Sequence, residues 1–207
     1  MKVLFIYTNI NVRGGDVGKY PHMQYGIASI SALLKMRGHS CDLLLLTREE
    51  ECHQVIHHIE TYQPDMVGYT SVTTQFGYII MLSEIIRKNF PELFQVCGGP
   101  HVTLTPVNAL KESALDAVCV GEGEYALLEI CNKLEHQKDL FDIQNFYFKT
   151  RQGKIVQNPC RPFIADLDSL PFVDRDLYRN FINLNEYTHS VLTTRGCRFN
   201  CHYCCNH

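Results

Sequence analysis

The sequence contains no hydrophobic run long enough to cross a bilayer. Its apolar opening, residues 1–7, is too short and too quickly followed by polar residues to be a signal peptide or a membrane span. The chain has no internal repeat and no low-complexity segment, and its formal net charge of −3 gives no reason to expect a nucleic-acid partner. With 45% hydrophobic and 20% charged residues, it has the composition of an ordinary soluble globular protein.

Disulfides are not indicated, although the chain has ten cysteines. Four of them lie inside apolar strand or helix patterns, where a free thiol behaves as a small hydrophobic group: Cys41, Cys97, Cys119 and Cys131. Thiols kept free in this way indicate a reducing, cytoplasmic location.

Short apolar segments alternate with helical patterns over residues 1–136. The strands are predicted at residues 2–8, 41–46, 66–71, 94–97 and 117–120. Helices are predicted at residues 23–37 and 74–89, around Val55 and Ile59, and from Ala126 to Leu134. Because right-handed crossovers join strands in this alternation, the pattern predicts an α/β domain with a doubly wound, five-stranded parallel sheet.

The rest of the chain has a different pattern. Residues 137–188 are predicted to form a hairpin around Gly153, followed by a linker over residues 158–176 that contains Pro159, Pro162 and Pro171. Residues 189–207 form a third region, in which a strand over residues 190–194 is expected to lead into a cysteine-rich loop.

That loop offers several metal ligands within a few residues. Cys197, Cys201 and Cys204 have the spacing C-x3-C-x2-C, which presents three thiolates to one metal centre and leaves a coordination position open. An iron–sulfur cluster held in this way would have one iron free for a substrate. The alternative is a zinc site completed by Cys205, His202 or His207.

A second group of residues follows the strands of the predicted sheet. Ligands of an open parallel sheet bind beyond the carboxyl ends of its strands. Glycines there allow a large planar ligand to approach the backbone, and hydroxyls can bond to amides or a phosphate. The cofactor-binding residues predicted at this edge are Ser71, Thr73, Thr74, Gly98, Gly99, Pro100, His101, Thr103, Gly121, Glu122, Gly123 and Glu124.

Other ligands of such sheets are less well supported. The first strand is not followed by G-x-G-x-x-G for a dinucleotide, or by a hydroxyl-rich phosphate loop for FMN. The acidic pair of a response-regulator receiver is also missing. His53 and His57 lie one helical turn apart, but without a further ligand they indicate a solvated helix face.

The two groups together resemble the branch of the radical S-adenosylmethionine (radical SAM) family that carries a cobalamin-binding domain. The resemblance includes the three cysteines, Tyr203 before the last of them, residues 191–196 before the first, and the linker motif at residues 170–176. It implies that the cysteines hold a 4Fe-4S cluster whose free iron binds S-adenosylmethionine, with Tyr203 among the cofactor-binding residues. It also implies that Ser71, Thr73, Gly98 and Gly99 line a slot for the nucleotide tail of cobalamin. The first loop and residues 121–124 would then edge the corrin.

One departure concerns the cobalt ligand. Cobalamin proteins of the D-x-H-x-x-G type bind cobalt through that histidine, whereas residues 20–26 read Tyr-Pro-His-Met-Gln-Tyr-Gly. No aspartate stands two residues before His22, and one residue too many separates it from Gly26. His22 is therefore expected to be a loop histidine, which leaves the lower face of cobalt unassigned.

The resemblance implies an enzyme of which this chain is the amino-terminal part, with the first strand of the radical SAM barrel at its end. Methyl transfer to carbon or an oxidative cyclisation of a small molecule would be its reaction, and a flavodoxin or ferredoxin its reductant. Two alternatives stay open, namely a stand-alone cobalamin carrier or sensor and a zinc-stabilised α/β domain.

Overall fold

The computed structural model describes residues 1–10, 22–182, 191–199, 201, 202 and 204. Five parallel strands lie at its centre: β1 Lys2–Thr8, β2 Ser40–Leu46, β3 Met66–Thr70, β4 Phe94–Gly98 and β5 Ala117–Cys119. Their spatial order is β2-β1-β3-β4-β5. The predicted doubly wound parallel arrangement is therefore confirmed.

The hairpin extends this sheet to seven strands. Strands β6 (Phe146–Lys149) and β7 (Ile155–Gln157) continue the order after β5, and β6 runs antiparallel to β5. The sequence predicts the hairpin but not its place in the sheet. Its position has a physical reason, since β6 pairs with an edge of β5 that would otherwise expose unpaired backbone groups.

Helices cover both faces of the sheet. They are α1 Tyr25–Met36, α2 Gln54–Tyr62, α3 Phe76–Asn89, α4 Pro100–Leu104, α5 Pro106–Glu112 and α6 Glu124–Glu135. Helices α1 and α6 pack on one face, and α2 to α5 pack on the other. The short helices α4 and α5 were not predicted, although each begins with a proline, a residue well suited to the first helical position.

The strands are buried on both sides, as expected of a covered parallel sheet. In β1, Val3, Phe5 and Tyr7 belong to the core under α1 and α6. Leu4 and Ile6, between them, belong to the core on the opposite face. Continuous apolar runs in the sequence reflect this two-sided burial.

Residues 167–182, called the strap below, fold back onto α1. Two short 3-10 turns, Leu167–Ser169 and Asp176–Tyr178, interrupt otherwise irregular backbone. The Asp174 carboxylate accepts a hydrogen bond of 2.6 Å from the Ser31 hydroxyl and pairs with Lys35 Nζ at 2.6 Å. Tyr178 is completely buried. The strap is therefore part of the core on that face.

Residues 191–194 do not form the predicted strand. Within the described range 191–199, no strand is present, and Val191 and Leu192 are 72% and 62% exposed. A strand needs a neighbour to satisfy its backbone groups, and no described strand pairs with this segment. Ser190, where the strand was expected to begin, lies outside the described residues. Among the helices that the structure describes, none is long and apolar enough to cross a membrane.

Three of the four cysteines predicted to be buried are so, namely Cys97, Cys119 and Cys131, and Cys41 is half-buried. Burial raises the pKa of Cys119 and of Cys131 to about 12. At pH 8 the thiolate fraction at either position is then on the order of 10⁻⁴.

We expect iodoacetamide at pH 8 to label exposed Cys160 within minutes and to leave Cys119 and Cys131 unmodified in the folded chain. Peptide mass spectrometry after timed quenching measures the labelling. Unfolding in urea should make all three react at similar rates. Labelling of Cys131 as fast as Cys160 in the native protein would contradict this assignment.

Candidate functional site

A large cavity lies at the carboxyl edge of the sheet, on the face covered by α1 and α6. Its volume is about 1580 Å³. Pockets for drug-sized ligands usually measure about 300–1,000 Å³, so this cavity has room for a larger molecule such as a macrocycle. Its walls come from the ends of β3 and β4, from the turn before α6, from α1, from the strap and from residues 191–195.

Seven of the predicted cofactor-binding residues line this cavity: Gly98, Gly99, Pro100, Gly121, Glu122, Gly123 and Glu124. They come from two loops that are far apart in sequence and that the parallel sheet brings to one edge. The sequence predicts that glycine backbone at the carboxyl edge lets a large ligand approach closely. Gly98, Gly99, Gly121 and Gly123, called the shelf below, line the cavity, which is not filled by side chains. Which of these residues touch a ligand stays a prediction.

Four of the five other predicted residues of this edge do not line the cavity but bond to or pack against neighbouring protein groups, namely Ser71, Thr73, His101 and Thr103. Ser71 is 2% exposed, and its hydroxyl donates to the Val72 carbonyl at 3.0 Å. The Thr103 hydroxyl accepts a 3.2 Å hydrogen bond from the Gly121 N–H. His101 stacks on Phe76 with ring centroids 4.1 Å apart.

Thr73 bonds to His101, with its hydroxyl 3.2 Å from His101 Nδ1. Thr74 is exposed outside the cavity. Desolvation lowers the pKa of His101, which favours the neutral imidazole at pH 7. Apart from Thr74, these residues therefore contribute hydrogen bonds and packing around the loops that form the shelf.

Gly98 and Gly99 contribute to the shelf in different ways. Gly99 has φ +95°, and a Cβ there would lie 2.8 Å from the Ser71 carbonyl oxygen. Only glycine allows so close an approach of the loops that follow β3 and β4. A Cβ on Gly98 would be in ordinary van der Waals contact with Cys119 Cβ and the Tyr69 carbonyl oxygen, each at 4.0 Å, and Gly98 itself lines the cavity.

A network of charges closes the wall at residues 121–124. Glu124 is 4% exposed and accepts a 2.7 Å hydrogen bond from the Ser29 hydroxyl. Arg195 donates to Glu124 Oε1 at 2.5 Å and to Glu122 Oε1 at 2.8 Å. The second oxygen of Glu122 accepts from the Ile164 N–H at 2.7 Å. The network joins α1, α6, the linker and the segment that precedes Cys197.

Sequence reasoning missed several residues of the cavity. Helix α1 contributes Tyr25, Ser29 and Ile30, and the strap contributes Pro171 and the fully exposed Phe172. The α1 residues carry only the signal of a buried helix face, which does not reveal a ligand. Residues 170–176 were noted as a motif of the linker, and that signal pointed to the right segment.

The histidines and the first loop lie elsewhere. His22 is outside the cavity, with its Nε2 3.0 Å from the Tyr7 hydroxyl. Residues 11–21 of the first loop, expected to edge the corrin, are outside the described residues. His53 and His57 are exposed on the second helical segment, as expected of a solvated face.

The cysteine loop is described only in part. Cys197 is exposed, Cys201 and Cys204 are half-buried, and the Cys204 N–H donates to the Cys201 carbonyl at 3.0 Å. Tyr203, Cys205 and His207 lie outside the described residues. No group of three ligand side chains is gathered for a metal within the described ranges. The cysteines match the thiolate donors of a cluster in chemistry, and their roles stay predictions.

Comparison with known proteins identifies the domain. The family model described as the B12 binding domain matches residues 14–131. An uncharacterized methyltransferase of Pyrococcus horikoshii is 33% identical over 70% of this chain and 32% of its own length. The anaerobic magnesium-protoporphyrin IX monomethyl ester cyclase of Rubrivivax gelatinosus is 28% identical over 99% of this chain and 38% of its own length. The chain thus spans about a third of these relatives.

Solved structures agree on the fold. The cobalamin-dependent S-adenosylmethionine radical enzyme OxsB, solved with aqua-cobalamin and S-adenosylmethionine, superimposes with a TM-score of 0.71 at 16% identity, over 87% of this chain and 25% of its own. The radical S-adenosylmethionine methyltransferase TsrM from Kitasatospora setae superimposes with a TM-score of 0.65 at 19% identity, over 76% of this chain and 30% of the TsrM chain. Since the family model covers more than half of the sequence and the fold agrees, this chain belongs to the B12-binding domain family.

Proposed function

We propose that the chain binds cobalamin in the cavity at the carboxyl edge of its sheet and is part of a cobalamin-dependent radical SAM enzyme. One observation carries the proposal. The cavity of about 1580 Å³ is walled largely by residues within the segment that the B12-binding family model matches. Its size and glycine-lined wall suit a bulky ligand with many amide groups.

The residues divide into two roles in this proposal. Gly98, Gly99 and Pro100 would hold the ligand against bare backbone, and residues 121–124 would border it. Ser71, Thr73 and Thr103 would act mainly by holding those loops in place, because their hydroxyls bond to neighbouring protein groups. His22 would not reach the cobalt, since it lies outside the cavity.

The cysteines would hold the second cofactor. Cys197, Cys201 and Cys204 offer three thiolates to a 4Fe-4S cluster, whose free iron would bind S-adenosylmethionine. The cluster would supply the electron for cleaving S-adenosylmethionine, and cobalamin would carry a methyl group. Curated relatives named as methyltransferases and as a cyclase support methyl transfer or cyclisation on a small-molecule substrate. A flavodoxin or ferredoxin would be the reductant, in the cytoplasm.

An anaerobic preparation of the full-length protein tests the two cofactors separately. After reconstitution with iron, sulfide and hydroxocobalamin, we expect one corrinoid and about four iron atoms per chain. Cys201→Ala should lose the iron and keep the corrinoid, whereas Cys160→Ala, an exposed cysteine outside the loop, should keep both.

Each departure from this result has a distinct meaning. Corrinoid without iron would identify a cobalamin carrier or sensor. Stoichiometric zinc without corrinoid would identify a zinc-stabilised domain and overturn the proposal.

A further inference from the structure

The segment that leads into the cysteine loop is held to the cavity wall through one side chain. Arg195 stands two residues before Cys197. Its Nη1 donates to Glu122 at 2.8 Å, and its Nη2 donates to Glu124 at 2.5 Å and to the Ser29 hydroxyl at 3.4 Å. These partners come from α1, from α6 and from the turn before α6, so the guanidinium joins three parts of the wall.

Burial makes this contact more costly to break than an ordinary surface ion pair. Glu124 is 4% exposed and Ser29 is 6% exposed. A carboxylate removed from water in this way needs a counter-charge as well as hydrogen bonds. In the described part of the chain, Arg195 supplies that charge, and the Ser29 hydroxyl supplies a further hydrogen bond.

The rest of the segment is loosely packed. Val191, Leu192 and Phe199 are 59% to 72% exposed, and Cys197 is exposed. Apolar burial therefore does little to fix residues 191–199, and among the contacts between described residues it is the bonds of Arg195 that join them to the domain. The same guanidinium lines the cavity, together with both of its glutamate partners.

We infer that Arg195 is a positioning residue that couples occupancy of the cavity to the placement of the cysteine loop. A ligand that fills the cavity covers the ion pairs with Glu122 and Glu124 and removes water from them, which strengthens the attraction between the opposite charges and makes their separation more costly. Cobalamin therefore orders residues 191–199, and ordered residues 191–199 favour cobalamin in return. The inference rests on the proposed function and adds the residue through which the two cofactor sites communicate.

Hydrogen exchange of the full-length protein, with and without hydroxocobalamin, tests the coupling. In the wild type, we expect cobalamin to slow exchange in peptides covering residues 191–199 by about tenfold. Arg195→Met should bind hydroxocobalamin several-fold more weakly than wild type, because the coupling is reciprocal. At saturating hydroxocobalamin, this variant should keep the cobalamin-dependent protection at residues 98–101 and lose it at residues 191–199. Arg195→Lys should restore part of that protection. The control Arg151→Met, which removes an exposed pair with Glu92, should behave as wild type.

Arg195→Met leaves Glu124 without its counter-charge and can lower stability. The double variant Arg195→Met, Glu124→Gln removes both charges and should still lack the protection of residues 191–199. Full protection in either variant with cobalamin bound would overturn the inference. Failure of the wild type to bind hydroxocobalamin would refute the proposed function instead. Hydrogen exchange of the two ligand-free proteins would then test whether Arg195 anchors the segment, because Arg195→Met must exchange faster than wild type at residues 191–199 if it does.

Discussion

Gly98→Leu is expected to weaken cobalamin binding by roughly 10- to 100-fold, the effect of about 1–3 kcal/mol of overpacking, while the domain stays folded. A Cβ at Gly98 has no neighbour closer than 4.0 Å, so the sheet itself tolerates a side chain there. The larger side chain extends into the cavity, however, where it occupies space that the ligand needs.

Titration of the cobalamin-free protein with hydroxocobalamin, followed by its absorbance, measures the affinity. Gly77→Leu is a matched control, because Gly77 is exposed on α3, outside the cavity, and a Cβ there meets nothing within 4 Å. Circular dichroism should show the same helix content in both variants. Unchanged affinity in Gly98→Leu would place the ligand elsewhere.

Gly99→Ala is expected to destabilise the fold itself, by about 2–5 kcal/mol. Two causes add. An L-residue is strained at φ +95°, and the new Cβ would lie within 2.9 Å of three atoms of Thr70 and Ser71, at the end of β3 and just after it. Two of them are backbone atoms of Ser71, which cannot move without disturbing the hydrogen bond between the Ser71 N–H and the Gly98 carbonyl.

Urea denaturation of the two proteins measures the difference in the free energy of unfolding. Gly121→Ala separates the two causes, because Gly121 also has positive φ, at +79°, but its Cβ would meet only Asn145 Nδ2 at 3.9 Å. Gly121→Ala should therefore cost only the backbone strain, about 1–3 kcal/mol. Equal losses in the two variants would show that the loops relax around Gly99.

Local patterns were sufficient for the central sheet and its main helices. The continuous apolar run of β1, for example, indicates a strand that is buried on both sides, and the periodic apolar positions of α1 indicate a helix that is buried on one side. The alternation of strands and helices implies that the strands pair in parallel. The site followed from that topology, because any parallel sheet brings the loops after its strands to one edge. This is why seven cavity residues could be predicted from sequence.

Contacts between distant segments left no such pattern. Asp174 bonds to Ser31 across 143 residues, and Arg195 bonds to Glu124 across 71. Neither pair produces a periodicity or a spacing that a single sequence reveals. The predicted strand at residues 190–194 failed for a related reason, since strand propensity is realised only where a neighbouring strand supplies the hydrogen bonds.

The strap has a consequence for synthesis on the ribosome. Leu177, Tyr178 and Ile182 complete the core under α1, yet α6 already ends at Glu135. At 5–20 residues per second, roughly 2–9 s pass between translation of α6 and translation of the last core residue. During that interval the nascent chain lacks these three side chains, and we expect the apolar surface of α1 that they cover to stay exposed to solvent.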